Sequence, residues 1–181
     1  MTFSNPTGSS PAATADYVRA LLDLLSKRNP LEVLEELLPW LDNRVQGVPE
    51  ASLRRPEKAG KWSVIQVIQH LADSELVVGF RTRMVLSQDR PVLQAYDQDR
   101  WANDFHYAEV DLRQALDQLR GLRTADLRLW KQLTPGQLEK VGMHTERGPE
   151  SAAQLIRLIA AHDLVHRRQI ERILGAVGSA R

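Results

Sequence analysis

Long apolar runs at helical spacing, each fenced by its own start and stop signals, constrain this chain more than any other feature. Leu31, Leu34, Leu38, Leu41 and Val45 recur every three or four residues, which lines them up on one face of a helix. Asn29-Pro30-Leu31-Glu32 opens that run, with asparagine as the cap, proline at the first helical position and glutamate at the third. Pro39 should bend this helix or be absorbed by a local irregularity. A second long run begins at Ser63, where Gln66 completes a capping box, and extends to about Ser87. Its apolar positions, from Val64 and Ile65 to Val85 and Leu86, form a broad surface suited to two neighbours. A third run, about 110–133, carries Leu112, Ala115, Leu119, Leu122, Leu129 and Leu133. The last opens at Ser151 and Gln154, another capping box, and should stop at Leu174-Gly175.

A shorter run over 14–27, with Val18, Leu21, Leu22 and Leu25, adds a helix at the N-terminal end. Residues 47–61 and 142–149 read as loops, 88–109 as a longer connection, and Thr134 to Gln137 as one helical turn. Strand-like alternation is nowhere sustained, and no internal repeat is visible. The expected architecture is therefore all-α: a four-helix bundle with an extra N-terminal helix, spanning 14–175 as one domain. Residues 1–13 and 176–181 are expected to be tails, the first of them disordered.

Composition narrows the function. The 181 residues carry a net charge of +1, which leaves no basic footprint for nucleic acid. No apolar stretch approaches the roughly 20 residues needed to span a bilayer. The first residues lack the basic and apolar regions of a signal peptide, so a cytoplasmic location is expected. With no cysteine, there is no disulfide, no thiolate metal ligand and no cysteine nucleophile. A dinucleotide-binding glycine motif, a P-loop, a GxSxG elbow and an SxxK pair are all absent.

Against that background the histidines stand out. The seam of the last helix reads Leu155, Ile159, His162, His166, Gln169, Ile173, so two imidazoles occupy positions where apolar residues belong. They are four residues apart, one turn apart on one face. His70 sits in the first half of the second long run. Burying a polar ring without a partner costs about 1–3 kcal/mol. One divalent metal held by three imidazoles would offset that cost and leave coordination positions open. Zinc and nickel suit such a site, as do iron and copper.

Other candidates surround these three. His162-Asp163-Leu164-Val165-His166 has the spacing of the zinc-protease HExxH with aspartate for glutamate, but the shorter carboxylate argues against a peptidase. Asp163 is expected to pair with an arginine such as Arg167 or to orient a histidine. Asp73, one turn beyond His70, is placed to hydrogen-bond it, and Glu75 is turned farther round toward an adjacent groove. Asp73, Glu75 and His144 are the candidate proton-transfer groups, His144 because it precedes the histidine helix and could line a pocket rim. His106 reads as a surface residue, and Trp62, Trp101 and Trp130 as packing residues.

GKWSVIQVIQHLADSE, then AYDQDRW, then HTERGP before AAHDLVHRRQI, together resemble the DinB/YfiT-like superfamily. These are damage-inducible four-helix proteins, distinct from the similarly named DNA polymerase. The match covers roughly residues 30–174. The resemblance implies an up-down-down-up bundle, often a homodimer, with nickel or zinc held by the equivalents of His70, His162 and His166. It also implies that some members use the metal to activate an external low-molecular-weight thiol, such as bacillithiol or mycothiol, for transfer or isomerisation. The leading expectation is a metal-dependent enzyme acting on a small molecule, and with water in place of the thiol the same site is a hydrolase. The contrasting expectation is a stress-induced protein that binds a metal or small ligand without turnover.

Overall fold

The computed structural model describes residues 11–178. Helix α1 (Pro11–Leu25) is followed by α2 (Pro30–Val45), the single turn α3 (Glu50–Leu53) and α4 (Val64–Ser87). A two-residue strand β1 (Val92–Leu93) and a short α5 (Gln98–Asp104) lead to α6 (Leu112–Trp130). Then come α7 (Pro135–Leu138), the strands β2 (Val141–His144) and β3 (Gly148–Ser151), and α8 (Ala152–Gly178). The capping signals act where the sequence implies, with only one bond of the expected box formed at Ser151. The Asn29 side chain accepts from Leu31 N, and Ser63 and Gln66 close a reciprocal capping box. Ser151 Oγ accepts from Gln154 N at 3.1 Å.

Cross-helix pairs fix the directions of the four main helices. From α4 to α6, Gln69 meets Gln118, Glu75 meets Arg123 and Arg83 meets Asp126, so both run the same way. Helices α2 and α8 are likewise parallel, with Glu36 on Arg167 and Arg44 on Glu171. Asp42 pairs with Arg120 and Glu35 with Lys131 just past α6, so α2 and α6 run in opposite directions. This is the up-down-down-up order. Parallel neighbours cannot be joined by a tight turn, which is why a long crossover separates α4 from α6. Helix α1 lays Leu21 and Leu25 into the core formed by Val33, Leu34, Ile156 and Ile159.

Three expectations change. The connections are not strandless: β1 pairs parallel to β2, and β2 pairs antiparallel to β3 in a hairpin whose turn uses Gly148 at φ +76°. Strands of two to four residues are too short to show an alternation. Gly142 lets this sheet close on α4, since a Cβ there would stand 2.8 Å from both Leu93 and Val85 side chains. The last helix continues through Gly175 to Gly178, because Ile173 and Val177 are still buried against the core. Helix α1 begins at Pro11, three residues earlier than expected. Residues 1–10 of the expected tail, and 179–181, lie outside the described residues. Helix α2 runs through Pro39 without a break.

Along α4 and α8 the core divides into two. One part gathers Leu37, Leu41, Ile65, Ile68, Leu71 and Ile173, and the other gathers Leu25, Leu34, Trp130, Ile156 and Ile159. Between them lies a buried polar layer containing His70, Glu75, Arg123, Asp163 and His166.

Candidate metal centre

Helix α8 presents His162 and His166 one turn apart, and α4 brings His70 to meet them. The Nε2 atoms converge: His70 to His162 at 3.1 Å and His166 to His162 at 3.0 Å. His70 is 1% and His166 7% exposed, while His162 is half-buried. The His166 Nδ1 lies 2.7 Å from Gln169 Oε1. A carbonyl oxygen only accepts, so Nδ1 carries the proton and the Nε2 lone pair points into the cluster. Trp62 packs its ring 4.9 Å from that of His70 and closes that side.

The donor set fits a divalent metal. His162 Nε2 can offer a single proton to its two Nε2 neighbours, so hydrogen bonding within the trio leaves nitrogen lone pairs facing one another. A cation would satisfy all three. Nitrogens bound about 2.0–2.1 Å from a tetrahedral zinc stand about 3.3 Å apart, close to the two separations from His162, and all three ligand atoms lie within 4.8 Å of one another. Burial holds all three rings neutral, as ligation demands. His70 and His162 lie well below the ordinary imidazole range, first through burial and then through neighbouring imidazole charge. Burial lowers His166 to about 4, with the Gln169 bond opposing it.

His162 also lines a pocket of about 90 Å³ walled by α1, α4 and α8. Ser74 and Tyr96 link that pocket to the histidines: Ser74 Oγ is 3.4 Å from His70 Nε2 and 3.2 Å from Tyr96 Oη. Burial raises the Tyr96 phenol above its usual range, so its hydroxyl stays protonated. Arg81 and Arg147 form the far wall together with Tyr17. Arg147 is aimed by its own turn, where His144 Nδ1 accepts from Glu146 N at 3.1 Å and Arg147 N at 3.3 Å. Two bonds to Glu150, at 2.6 and 2.9 Å, then hold the guanidinium.

The candidate proton-transfer residues sit elsewhere. Asp73 does not bond His70. Its carboxylate accepts from Tyr107 Oη at 2.5 Å, Gln118 Nε2 at 2.9 Å and Gln69 Nε2 at 3.2 Å, because the crossover places Tyr107 over that face of α4. Glu75 faces no groove; it is fully buried on Arg123. Asp163 pairs with Arg123 rather than Arg167, at 2.8 Å. His144 is buried in β2 rather than on a rim, with its Nδ1 committed to the turn. Burial, followed by the charges of Arg147 and Arg81, lowers it to about 3. None of Asp73, Glu75 and His144 lines the pocket, whereas Ser74, Arg81, Tyr96 and Arg147 do. Sequence reasoning did not single out those four as pocket residues. One signal was available: Ser74 and Arg81 interrupt the apolar face of the second long run just as His70 does. His106 is exposed, as expected.

Comparison with known proteins places this geometry in context. The family profile described as the DinB superfamily matches residues 34–170. A protein of Oceanobacillus iheyensis named "Putative metal-dependent hydrolase" is 29% identical over 133 residues, spanning 74% of this chain and 77% of that one. One of the same name from Halalkalibacterium halodurans is 30% identical over 125 residues, spanning 69% and 72%. Among solved structures, the fold is similar to one titled "YfiT from Bacillus subtilis is a probable metal-dependent hydrolase with an unusual four-helix bundle topology". The TM-score is 0.77 at 25% identity, covering 84% of this chain and 90% of that one. No helix of the described residues is long and apolar enough to cross a membrane.

Proposed function

The chain belongs to the DinB superfamily, and we propose from that premise that it is a metal-dependent enzyme in which His70, His162 and His166 hold a divalent cation, zinc or nickel, for hydrolysis of a small molecule. One observation carries the reading: the His162 Nε2 stands 3.1 Å from that of His70 and 3.0 Å from that of His166, all three ligand atoms lie within 4.8 Å of one another, and His162 opens onto a pocket. A cation held there supplies Lewis acidity and lowers the pKa of water or of a thiol near it. The protein's own residues supply the rest. Gln169 fixes the His166 tautomer, Trp62 closes the His70 side, and the protonated Tyr96 hydroxyl offers a hydrogen bond to a substrate oxygen in the pocket. The names of the relatives favour water as the nucleophile. The absence of cysteine bears on the second reading, because a thiol transferred here has to come from a low-molecular-weight cofactor.

The test is metal content of protein purified without a histidine tag. One zinc or nickel per chain is expected. Alanine at His70, His162 or His166 should each abolish tight binding, because two imidazoles hold a labile ion poorly. Full occupancy in His162→Ala would overturn the site. Metal-loaded samples with a normal ion count are then screened against ester and amide substrates, and against thiol-plus-electrophile pairs, to separate the two nucleophiles.

A further inference from the structure

Two arginines are buried among the described residues, and they differ in one respect. Arg123 is bonded to two carboxylates. Arg81 is 6% exposed, and among the described residues no carboxylate stands within ion-pair reach of it. The hydrogen bond it makes goes to the Gln94 carbonyl. A guanidinium carries five N–H donors, so most of this one is unspent. Glu150, the nearby acid with the strongest pull on it, is already bonded twice to Arg147. Burial first, and then the Arg147 charge, lower Arg81 to about 10 against the raising pull of Tyr96, Glu150 and Glu146. A charge buried without a counter-charge is costly, and a pocket is where a ligand can provide one.

We propose that Arg81 is an anion-recognition residue, and that the molecule acted on is a small organic acid whose carboxylate or phosphate it holds while the reacting bond lies against the three imidazoles. The assignment of that acid as substrate rests on the functional reading above; the anion site does not. The geometry runs continuously from one end to the other. Ser74 touches His70 and Tyr96, and the Tyr96 ring centroid lies 5.9 Å from the Arg81 guanidinium carbon. Arg81 is eleven residues beyond His70 on the same helix, roughly 16 Å along its axis at 1.5 Å per residue. Its side chain leans back toward the histidines, as long helical side chains do. Val18, Leu21, Val78, Leu158 and Ile159 line the space between. An anionic head, an apolar body and a reactive far end fit that order. Guanidinium geometry matches carboxylate and phosphate oxygens alike, so both classes remain as arms of the test.

The experiment uses the full chain stripped with chelator, so that no cation can serve as the anion's partner. Isothermal titration compares 4-phenylbutyrate, its neutral amide and phenyl phosphate. At least tenfold tighter binding of either anion than of the amide is expected, and the anion that wins names the class. Arg81→Gln should bring the anions within twofold of the amide, while Arg113→Gln, an exposed arginine of α6 outside the pocket, should keep the preference. Equal binding of anions and amide by the native chain overturns the proposal, as does an anion preference retained in Arg81→Gln. If Arg81→Gln does not fold, the Arg81 Nε–H resonance of the native chain is followed by NMR instead: movement with the winning anion but not with the amide supports the proposal, and no movement overturns it. Metal uptake measured on the same native protein separates the two readings. Normal uptake with no anion preference sinks the anion site alone, and anion preference with no uptake sinks the metal reading alone.

Discussion

Glu75, Arg123 and Asp163 form one buried polar cluster of the bundle, and His70, His162 and His166 form the other. They are neighbours, since His162 precedes Asp163 on α8 and Glu75 follows His70 by little more than a turn of α4. In the first cluster every donor is spent. Arg123 gives two hydrogen bonds to Glu75, two to Asp163 and one to the Leu34 carbonyl, at 2.8–3.3 Å, which uses all five N–H groups. In the second, nitrogen lone pairs face one another, and His162 Nδ1 is buried without a partner among the described residues. The first closes on itself and ties α2, α4, α6 and α8 together. The second leaves part of its capacity unmet, and it opens to the pocket through His162. Satisfaction of hydrogen-bonding capacity, rather than burial or charge, tells the self-contained cluster from the one proposed to bind metal.

Removing Arg123 attacks the closed cluster and carries the largest expected effect. Arg123→Met strands two carboxylates in the core, and breaking a buried ion pair by deleting one partner costs about 3–5 kcal/mol. Urea unfolding of metal-stripped protein should show that loss, while the folded fraction still takes up one metal per chain. A loss below about 1 kcal/mol would mean the cluster does not hold the helices together. Loss of metal from a folded variant would mean the two clusters are one.

Much of this contrast lay outside the reach of the sequence. The helices and their starts were legible because periodicity and capping are local. Ser63 with Gln66 and Asn29 before Pro30 do in the structure what their spacing implies. The three histidines were legible because an imidazole in an apolar seam is anomalous wherever the seam ends up. The fates of Asp73 and Glu75 were not, because each depends on a partner far away in the chain, Tyr107 with Gln118 and Arg123, and His144 was not because its ring turns onto the backbone of the turn that β2 and β3 make only once they pair. Arg123 itself gave no sign of burial, since an arginine among the charged residues of α6 looks solvated until both its acids are located. Asp163 drew attention to Arg167, its near neighbour in sequence, and the buried partner came from another helix instead.

Acid should set the two clusters against each other. His70, His162, His166 and His144 are all held neutral below the ordinary imidazole pKa, His166 at about 4 and His144 at about 3. The unfolded chain takes up protons on them near pH 6.5 and the native chain does not. Their contribution to stability is therefore complete above that pH and is lost as pH falls toward 4. Glu75, raised to about 7 because burial outweighs Arg123, acts in the opposite sense, since its contribution is present below its unfolded value of 4.5 and lost as pH rises through 7. Asp163 and Asp126, also raised by burial, act in the same sense as Glu75, but four histidines outnumber three carboxylates, so metal-stripped protein should lose stability on going from pH 6.5 to 5. Each uncompensated histidine contributes about 1.4 kcal/mol per pH unit. Denaturant midpoints measured across that range check the sign. Stability that is flat or rises with acid would show that the imidazoles are not held neutral, and would remove the basis for calling their cluster unsatisfied.

The smallest effect tests where the boundary between the two clusters lies. Asp73 is one turn from His70, but its carboxylate is turned away and filled by Tyr107, Gln69 and Gln118. If it belongs with the closed structural layer, removing the Tyr107 hydroxyl should weaken the fold and leave the histidines alone. Tyr107→Phe takes away one charge-assisted hydrogen bond, worth about 1.5–3 kcal/mol at most and less once the two glutamines re-close on the carboxylate. A stability loss of about 1 kcal/mol, with zinc affinity unchanged within twofold, is the expected pair of results. Residues that orient a ligating histidine typically change metal affinity by about 10–100-fold when altered. A drop of that size in Tyr107→Phe would move Asp73 across the boundary, as a residue acting on His70, and would restore the role that its position in the sequence first suggested.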